Sequence, residues 1–403
     1  MVTRRTLRGA VTRLLSAACA LLLAGCEFDE TVISQTAPTL VIHAVLNPDQ
    51  AQQVVLVEET LTGRVRIDTT LTYDPSDPIR SGGGIPVSGA TVTISRTDAA
   101  GTVVGSATGV EDVVLGASGA RGTGLYRVSS TIFVPGGIYT LRVTAADGRV
   151  VTGRTRIPGP ITREGSTVVA DTLDRLRDTL RLAWTPVPGA RTNTIRVDTP
   201  RGPWFLFNDS TSFALSGSLK NFFAEGLPNV FVPGHRQSLS VVAVDTAFFD
   251  YYRSGNDPFS GSGLINKLEG GIGLFGAALP LLTRLVSVTQ SPSSPLDAEW
   301  TSGTDTLTLW LESPGPTISS VSGRFRGRGP AGSGIATGAL GTLRGDDLRV
   351  VVQPEFTSDT LGVFVGRVFA DSIVGAWSPP PVGALPRIAG PRTYRRGGAP
   401  RAP

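Results

Sequence analysis

Pro86-Val-Ser-Gly-Ala-Thr-Val-Thr-Ile94 places Ala90, Val92 and Ile94 at every second position, with polar residues between them. This period of two is typical of a β-strand with one buried face. Similar runs follow at Gly124–Val128 and Gly137–Val143, and turn residues separate them at a spacing of roughly 8–15 residues. The pattern predicts a β-sandwich over residues 37–157.

The next segment, residues 160–290, follows the linker 157–160 and again has short apolar strand patterns separated by turn residues. Its strands Thr179–Trp184 and Asn193–Val197 resemble the B–C strand pair of a fibronectin type III domain, in which a strand tryptophan packs in the core. We therefore expect a second, fibronectin-III-like sandwich.

A serine- and proline-rich linker, residues 291–295, introduces a third unit with further short apolar alternations. These alternations predict a small antiparallel β-barrel or meander over residues 296–377. The tail, residues 378–403, is rich in proline, glycine and arginine, and we expect it to be disordered. The predicted fold class is all-β, and the 49 glycines and 29 prolines in 403 residues agree with many turns.

The N-terminus carries a second kind of signal. Four arginines precede an apolar run that ends in Leu22-Leu23-Ala24-Gly25-Cys26. A basic start, a short apolar core and small residues before the cut form a secretory signal peptide. The run is too short to span a bilayer, which takes roughly 20 residues.

Residues 1–25 resemble the export signal of bacterial lipoproteins, which implies acylation of Cys26 and a tether over residues 26–36. The alternative is an uncleaved anchor, or a signal cut at another small residue. The resemblance implies that the protein is located at the cell outer membrane, on either the periplasmic or the surface face. The acidic residues Glu27, Asp29 and Glu30 are similar to a surface-export signal, or they form a solvated tether with no address.

Charge and cysteine content exclude several classes of protein. Loss of the four arginines of residues 1–25 takes the formal net charge from +4 to zero, and the five arginines after residue 377 leave residues 26–377 at −5. We therefore expect no nucleic acid as a partner of the folded body. Cys19 leaves with the signal and Cys26 is acylated, so neither a disulfide nor a cysteine zinc site is expected.

The most distinctive internal stretches are Val244–Tyr252, Asn256–Phe259 and Asn266–Gly276. Together with the first sandwich, over about residues 38–287, they resemble an uncharacterised family of β-rich surface lipoproteins that carries a domain-of-unknown-function label. Members are often encoded beside SusC-like TonB-dependent receptors. The resemblance implies an outer-membrane β-barrel receptor as a partner, and it implies no catalytic residues.

Aromatic residues crowd the same region. We expect part of them to form an exposed contact surface, because aromatic side chains anchor many protein interfaces. Adjacent aromatic residues in an extended chain point to opposite faces, so one of each pair would be free. Core packing is the alternative. The candidate surface consists of Phe248, Phe249, Tyr251, Tyr252 and Phe275.

Signals for chemistry are weak. The sequence has no G-x-S-x-G and no H-E-x-x-H, so we expect no catalytic site, no cofactor and no metal. His43 is predicted to be a packed, hydrogen-bonded strand residue and His235 a turn residue. Gly116–Gly124 lacks the ending of a phosphate-binding loop and is predicted to be a flexible hairpin loop. Arg344-Gly345-Asp346 is predicted to be a tight turn.

Four carboxylates lie near the aromatic stretch, and calcium would need several such oxygens in one loop. The spacing of an EF-hand is absent, so ordinary turn and capping roles are favoured. The carboxylates are Asp245, Asp250, Asp257 and Glu269.

The functional hypothesis is a non-enzymatic, lipid-anchored binding or accessory protein. The rival is a structural or adhesive surface protein, whose sandwiches act as spacers and whose barrel or arginine tail touches an anionic polymer. A third alternative, an envelope hydrolase, would depend on His43 or His235.

Overall fold

The computed structural model describes residues 38–60, 85–116, 119–129, 131–160, 169–222, 228–254, 265–328, 334–354, 360–379 and 389–399. These residues form 24 β-strands and one described helix, so the all-β fold class is confirmed. The predicted signal peptide, its tether and Cys26 lie outside the described residues, as does most of the long loop that joins the second and third strands.

The described residues from 38 to 160 form nine strands. They are β1 (Leu40–Leu46), β2 (Gln52–Glu59), β3 (Ile85–Pro86), β4 (Thr91–Thr97), β5 (Val103–Thr108), β6 (Val110–Gly116), β7 (Gly119–Ser129), β8 (Ile138–Thr144) and β9 (Val150–Arg156). A four-stranded sheet, in the order β5-β4-β8-β9, packs on the part of a larger sheet that contains β1, β2 and β7. Ile42 and Val55 of one layer and Ile94 and Leu141 of the other are fully buried in the shared core.

The middle of the chain adds seven strands and the helix. They are β10 (Val169–Asp174), β11 (Thr179–Ala183), β12 (Thr192–Thr199), β13 (Gly202–Asn208), β14 (Ser212–Ser216), β15 (Arg236–Val244), α1 (Thr246–Ser254) and β16 (Ile272–Thr289). Strands β11 and β14 form a separate two-stranded sheet, whose Leu182 and Leu215 share a buried core with Ile195 of β12. Trp184 lies directly after β11 and packs half-buried against this core, whereas the resemblance to fibronectin type III domains implied a strand tryptophan inside it.

One long strand, β16, joins the first sandwich to the middle region. The first residues of β16 pair in parallel with β1, from Val41↔Ile272 to Leu46↔Ala277. Its later residues pair with β15 and β10. At 18 residues the strand is about 60 Å long, enough to serve both regions. The predicted boundaries 37–157 and 160–290 therefore need correction, because residues 272–277 complete the first sandwich and a single ten-stranded sheet runs through both.

The last eight strands close into a barrel, which confirms the predicted third unit. They are β17 (Ala298–Ser302), β18 (Asp305–Ser313), β19 (Ser319–Arg328), β20 (Gly334–Arg344), β21 (Asp347–Gln353), β22 (Gly362–Val368), β23 (Ser372–Ser378) and β24 (Gly390–Arg396). Strand β24 corrects the expectation of a disordered tail over 378–403. It pairs with β23 and β17, and its Tyr394 is fully buried in the barrel core.

The barrel is attached to the middle region by buried polar contacts. Arg175 donates from Nε to the side-chain oxygen of Gln290 at 2.9 Å and from Nη2 to the carbonyl of Glu312 at 2.9 Å. The carboxylate of Glu312 accepts two bonds from Arg201, at 2.9 and 2.7 Å. The carboxylate of Asp297 also accepts bonds from three backbone N–H groups of the linker and β18. The predicted linker 291–295 is therefore a fixed junction.

Candidate functional site

Helix α1 occupies the aromatic stretch that the sequence marked out, and Asp245 fixes its start. Asp245 Oδ1 accepts the N–H of Phe248 at 2.9 Å, which is the geometry of an N-cap. The same oxygen accepts the N–H of Ala277 in β16 at 3.0 Å, and Oδ2 accepts the hydroxyl of Thr155 in β9 at 2.7 Å. One carboxylate thus connects the helix, the long strand and the first sandwich.

The prediction that the aromatic residues form a contact surface is wrong for four of the five. Phe248, Tyr251, Tyr252 and Phe275 are between 3% and 8% exposed. The argument from alternating faces assumed an extended chain, whereas positions 248, 251 and 252 share one face of a helix. Phe275 instead belongs to the core of the first sandwich.

Phe249 is the remaining member of the predicted surface and is half-buried. Its ring centroid lies 4.5 Å from the guanidinium carbon of Arg191 and 5.6 Å from that of Arg253. Phe207 packs edge-on against it at 5.0 Å. A guanidinium group this close to a ring makes a cation–π contact, so Phe249 is engaged within the protein.

His43 has the packed, hydrogen-bonded position that its strand pattern predicted. Its Nε2 lies 2.9 Å from the hydroxyl oxygen of Tyr251, and the two rings meet edge to face. Burial lowers the pKa of His43 to about 4 and raises the pKa of Tyr251 to about 12. Both groups are therefore neutral at pH 7.

His235 lies in the predicted turn, directly before β15. The ring is 5% exposed, and its Nδ1 is 3.2 Å from the carbonyl oxygen of Pro233. It packs on Gly338 of β20 so closely that a Cβ there would lie 2.3 Å from the imidazole. His235 therefore contributes to the contact between the middle region and the barrel.

The carboxylates near the helix have structural partners. Asp250 pairs with Lys267 at 2.7 Å and with Arg253 at 3.2 Å, and Glu269 exchanges backbone hydrogen bonds with Thr152. Asp257 lies outside the described residues. In the part of the chain that the structure describes, no group of three or more His, Cys, Asp or Glu side chains is placed to hold a metal ion.

A different segment presents apolar side chains to solvent. The finger, as we call residues 113–116 and 119–122, is the outer described part of the β6–β7 hairpin, with pairs from Val113↔Gly122 to Gly116↔Gly119. Val113, Val114 and Leu115 are 60%, 60% and 83% exposed. Because consecutive strand residues point to opposite faces, both faces of the finger are open. Within the glycine-rich segment 116–124, Gly116 ends β6 and residues 119–124 belong to β7, so the described part is paired strand.

The base of the finger is held by polar contacts. Glu111 accepts bonds from the N–H of Gly89 at 2.9 Å and the hydroxyl of Ser88 at 3.0 Å. Asp112 pairs with Arg127 at 2.8 Å. Gly124, with a φ of +72°, and a register shift between Glu111 and Val113 mark a bulge where the finger begins.

The sequence contained a signal for this exposure. Val113, Val114 and Leu115 are consecutive apolar residues beside a glycine-rich segment, and a half-buried strand can cover only one face.

The tripeptide Arg344-Gly345-Asp346 is the predicted turn, between β20 and β21. Within the described residues, no helix is long and apolar enough to cross a bilayer.

Comparison with known families agrees with the resemblance carried by the helix and the first sandwich. The model of a family described as a domain of unknown function, DUF4249, matches residues 27–280. The chain belongs to the DUF4249 family. No curated protein matches the chain significantly. The match ends about halfway along β16, at residue 280, and the barrel lies outside it.

Proposed function

We propose that this DUF4249 protein is a lipid-anchored component of the cell outer membrane that acts as a binding or accessory subunit without catalysis. The observation that carries the proposal is the position of the family match. It begins at residue 27, directly after Cys26 and its lipobox-like stretch. The matched region therefore coincides with the start of the chain that cleavage before Cys26 would leave.

The environment of the two histidines supports a non-catalytic role. The side chain of His43 is engaged by Tyr251, and its pKa of about 4 makes it a weak base. His235 is buried against the barrel. A general base needs a pKa near the working pH and access to a substrate, and His43 does not meet the first requirement.

The proposed partner is an outer-membrane β-barrel receptor of the TonB-dependent type, which follows from the family resemblance. The rival adhesive role has the barrel or the arginine tail touch an anionic polymer. Arg392 pairs with Asp305 at 3.2 Å within the barrel, and Arg395 lies 3.8 Å from Asp371. These pairs reduce the positive charge that β24 offers to an anionic polymer, so we favour the accessory role.

Lipidation is tested with the two cysteines of the chain, which form a matched pair. Cells expressing the wild type, Cys26→Ala or Cys19→Ala are fed a radioactive fatty acid and fractionated. We expect label in the outer-membrane protein for the wild type and for Cys19→Ala, and none for Cys26→Ala. Label retained in Cys26→Ala would disprove anchoring at this residue.

The accessory role is tested by chemical crosslinking of the tagged full-length protein in its native membrane, followed by purification and mass spectrometry. A β-barrel receptor recovered in stoichiometric amount would support the proposal. Recovery of the protein alone would contradict it and favour a free-standing surface role.

A further inference from the structure

We infer that the finger, residues 113–116 and 119–122, inserts into the surface of the lipid bilayer that holds the anchor. The inference rests on the lipidation part of the proposed function. It starts from the exposure of Val113, Val114 and Leu115 on both faces of one narrow hairpin. A groove on a protein partner would most easily cover one face of the hairpin. The boundary between headgroups and acyl chains in a bilayer can surround both faces at once.

The charge of the finger agrees with a membrane surface. Its eight residues contain one charged residue, Arg121, and no aspartate or glutamate. The two acidic residues that precede it are held at the base, Glu111 by Ser88 and Gly89 and Asp112 by Arg127. A cation beside apolar residues favours the interface of an anionic leaflet.

Sheet register places the finger at the end of the sheet where the chain enters from the anchor. His43 of β1 is paired with Leu56 of β2, and Leu56 is paired with Leu125 of β7. Both β1 and β7 are antiparallel to β2, so they run in the same direction. From the paired residues His43, Leu56 and Leu125, the N-terminal part of β1 with Leu40 and the N-terminal part of β7 with the finger therefore lie towards the same end of the sheet. The described body therefore receives its N-terminal segment on the side from which the finger projects.

The lengths involved are compatible with both groups reaching one plane. The chain from Cys26 to Leu40 spans at most about 50 Å when fully extended. If straight, the described part of the hairpin would extend about three residues beyond the row of Leu40, or roughly 10 Å. Beyond Leu125, β2 pairs with β3 instead of β7, so the finger is free of the sheet.

The cysteine content of the mature chain allows a direct test. Full-length lipidated protein carrying Val114→Cys or Leu115→Cys is labelled with an environment-sensitive fluorophore and reconstituted in vesicles of phosphatidylethanolamine and phosphatidylglycerol. Lipids brominated on the acyl chain serve as quenchers. The matched control is Val365→Cys in β22, where the valine is 55% exposed, against 60% for Val114.

We expect a blue shift and strong quenching at positions 114 and 115, and neither at 365. Equal signals at all three positions would overturn the inference, as would a change at 114 that needs an added receptor, which would assign the finger to a protein partner. Flotation with the vesicles separates the two claims. Flotation without quenching at 114 and 115 refutes the finger contact and leaves lipidation intact, whereas failure to float refutes both.

Discussion

Helix α1 and the finger make opposite use of apolar residues. The helix carries Phe248, Tyr251 and Tyr252, which are at most 8% exposed. The finger carries Val113, Val114 and Leu115, which are at least 60% exposed. The segment richest in aromatic residues is therefore structural, and a short aliphatic hairpin presents apolar side chains to solvent.

The difference follows from what each segment packs against. The helix packs beside the part of β16 where its pairing changes from β1 to β15. Hydrogen bonds of Asp245 to Ala277 and Thr155 fix the position of the helix there. The finger extends past the last pair between β2 and β7, so neither face is covered by a second sheet. Exposure here depends on strand length and register, and residue type does not predict it.

The sharpest test of the comparison pairs Phe248→Ala with Leu115→Ala. Removing the buried ring should lower the free energy of unfolding by about 4 kcal/mol, because it leaves a cavity in the aromatic cluster. The exposed leucine should change that free energy by less than about 0.5 kcal/mol. Urea titration followed by tryptophan fluorescence measures both, and similar losses would show that the finger is part of the core.

A second pair of variants compares two carboxylates of the helix region. Asp245→Ala leaves two backbone N–H groups and the hydroxyl of Thr155 without their acceptor, and should cost about 3 kcal/mol. Asp250→Ala removes a partly exposed pair with Lys267 and should cost less than about 1 kcal/mol. Asp245→Asn keeps an acceptor for the backbone groups and should cost less than Asp245→Ala. Equal costs for the alanine variants at positions 245 and 250 would contradict the role of Asp245 as the fixed point.

The extent of sequence prediction can be judged from these same regions. Period-two alternation identified β4, β8 and the barrel strands, because each strand buries one face locally. The continuous apolar run Thr39–Leu46 likewise placed His43 in a buried strand. These features depend on neighbouring residues and are visible in the sequence.

Long-range pairing could not be predicted in this way. The parallel pairing of β1 with β16 joins residues more than 200 positions apart, and nothing in either strand encodes the partner. Strand β24 was missed because its single large apolar residue, Tyr394, lies among arginines and glycines, although closing the barrel buries it fully. The finger was missed because glycine suggested a loop.

The third prediction concerns the dependence of stability on pH near the helix. The folded pKa of His43, about 4, lies below its ordinary value of 6.5. The unfolded chain therefore binds a proton more readily between these values, so this residue's stabilising contribution is present above pH 6.5 and is lost as the pH falls towards 4. The wild type should lose about 2–3 kcal/mol more than His43→Gln between pH 7 and pH 4.

The comparison with His43→Gln isolates the histidine. All other titrating groups, including Asp245 with its raised pKa, are shared by the two proteins. Denaturant titrations at several pH values give the difference. If the free energies of unfolding of the two proteins fell in parallel with pH, His43 would be accessible to water in the native state. The region around helix α1 would then be less buried than the structure indicates, and its contrast with the finger would be smaller.

The smallest effect is expected at the base of the finger. The Asp112–Arg127 pair has a good distance of 2.8 Å, but both side chains are at least one third exposed. Exposed ion pairs gain little because water and salt screen them. Asp112→Asn should therefore leave the unfolding midpoint unchanged in physiological salt, as should Asp347→Asn in the exposed pair with Arg367 on the barrel. A marked loss at Asp112 alone would mean that this pair holds the finger in place, and the finger would then be a rigid extension of the sheet.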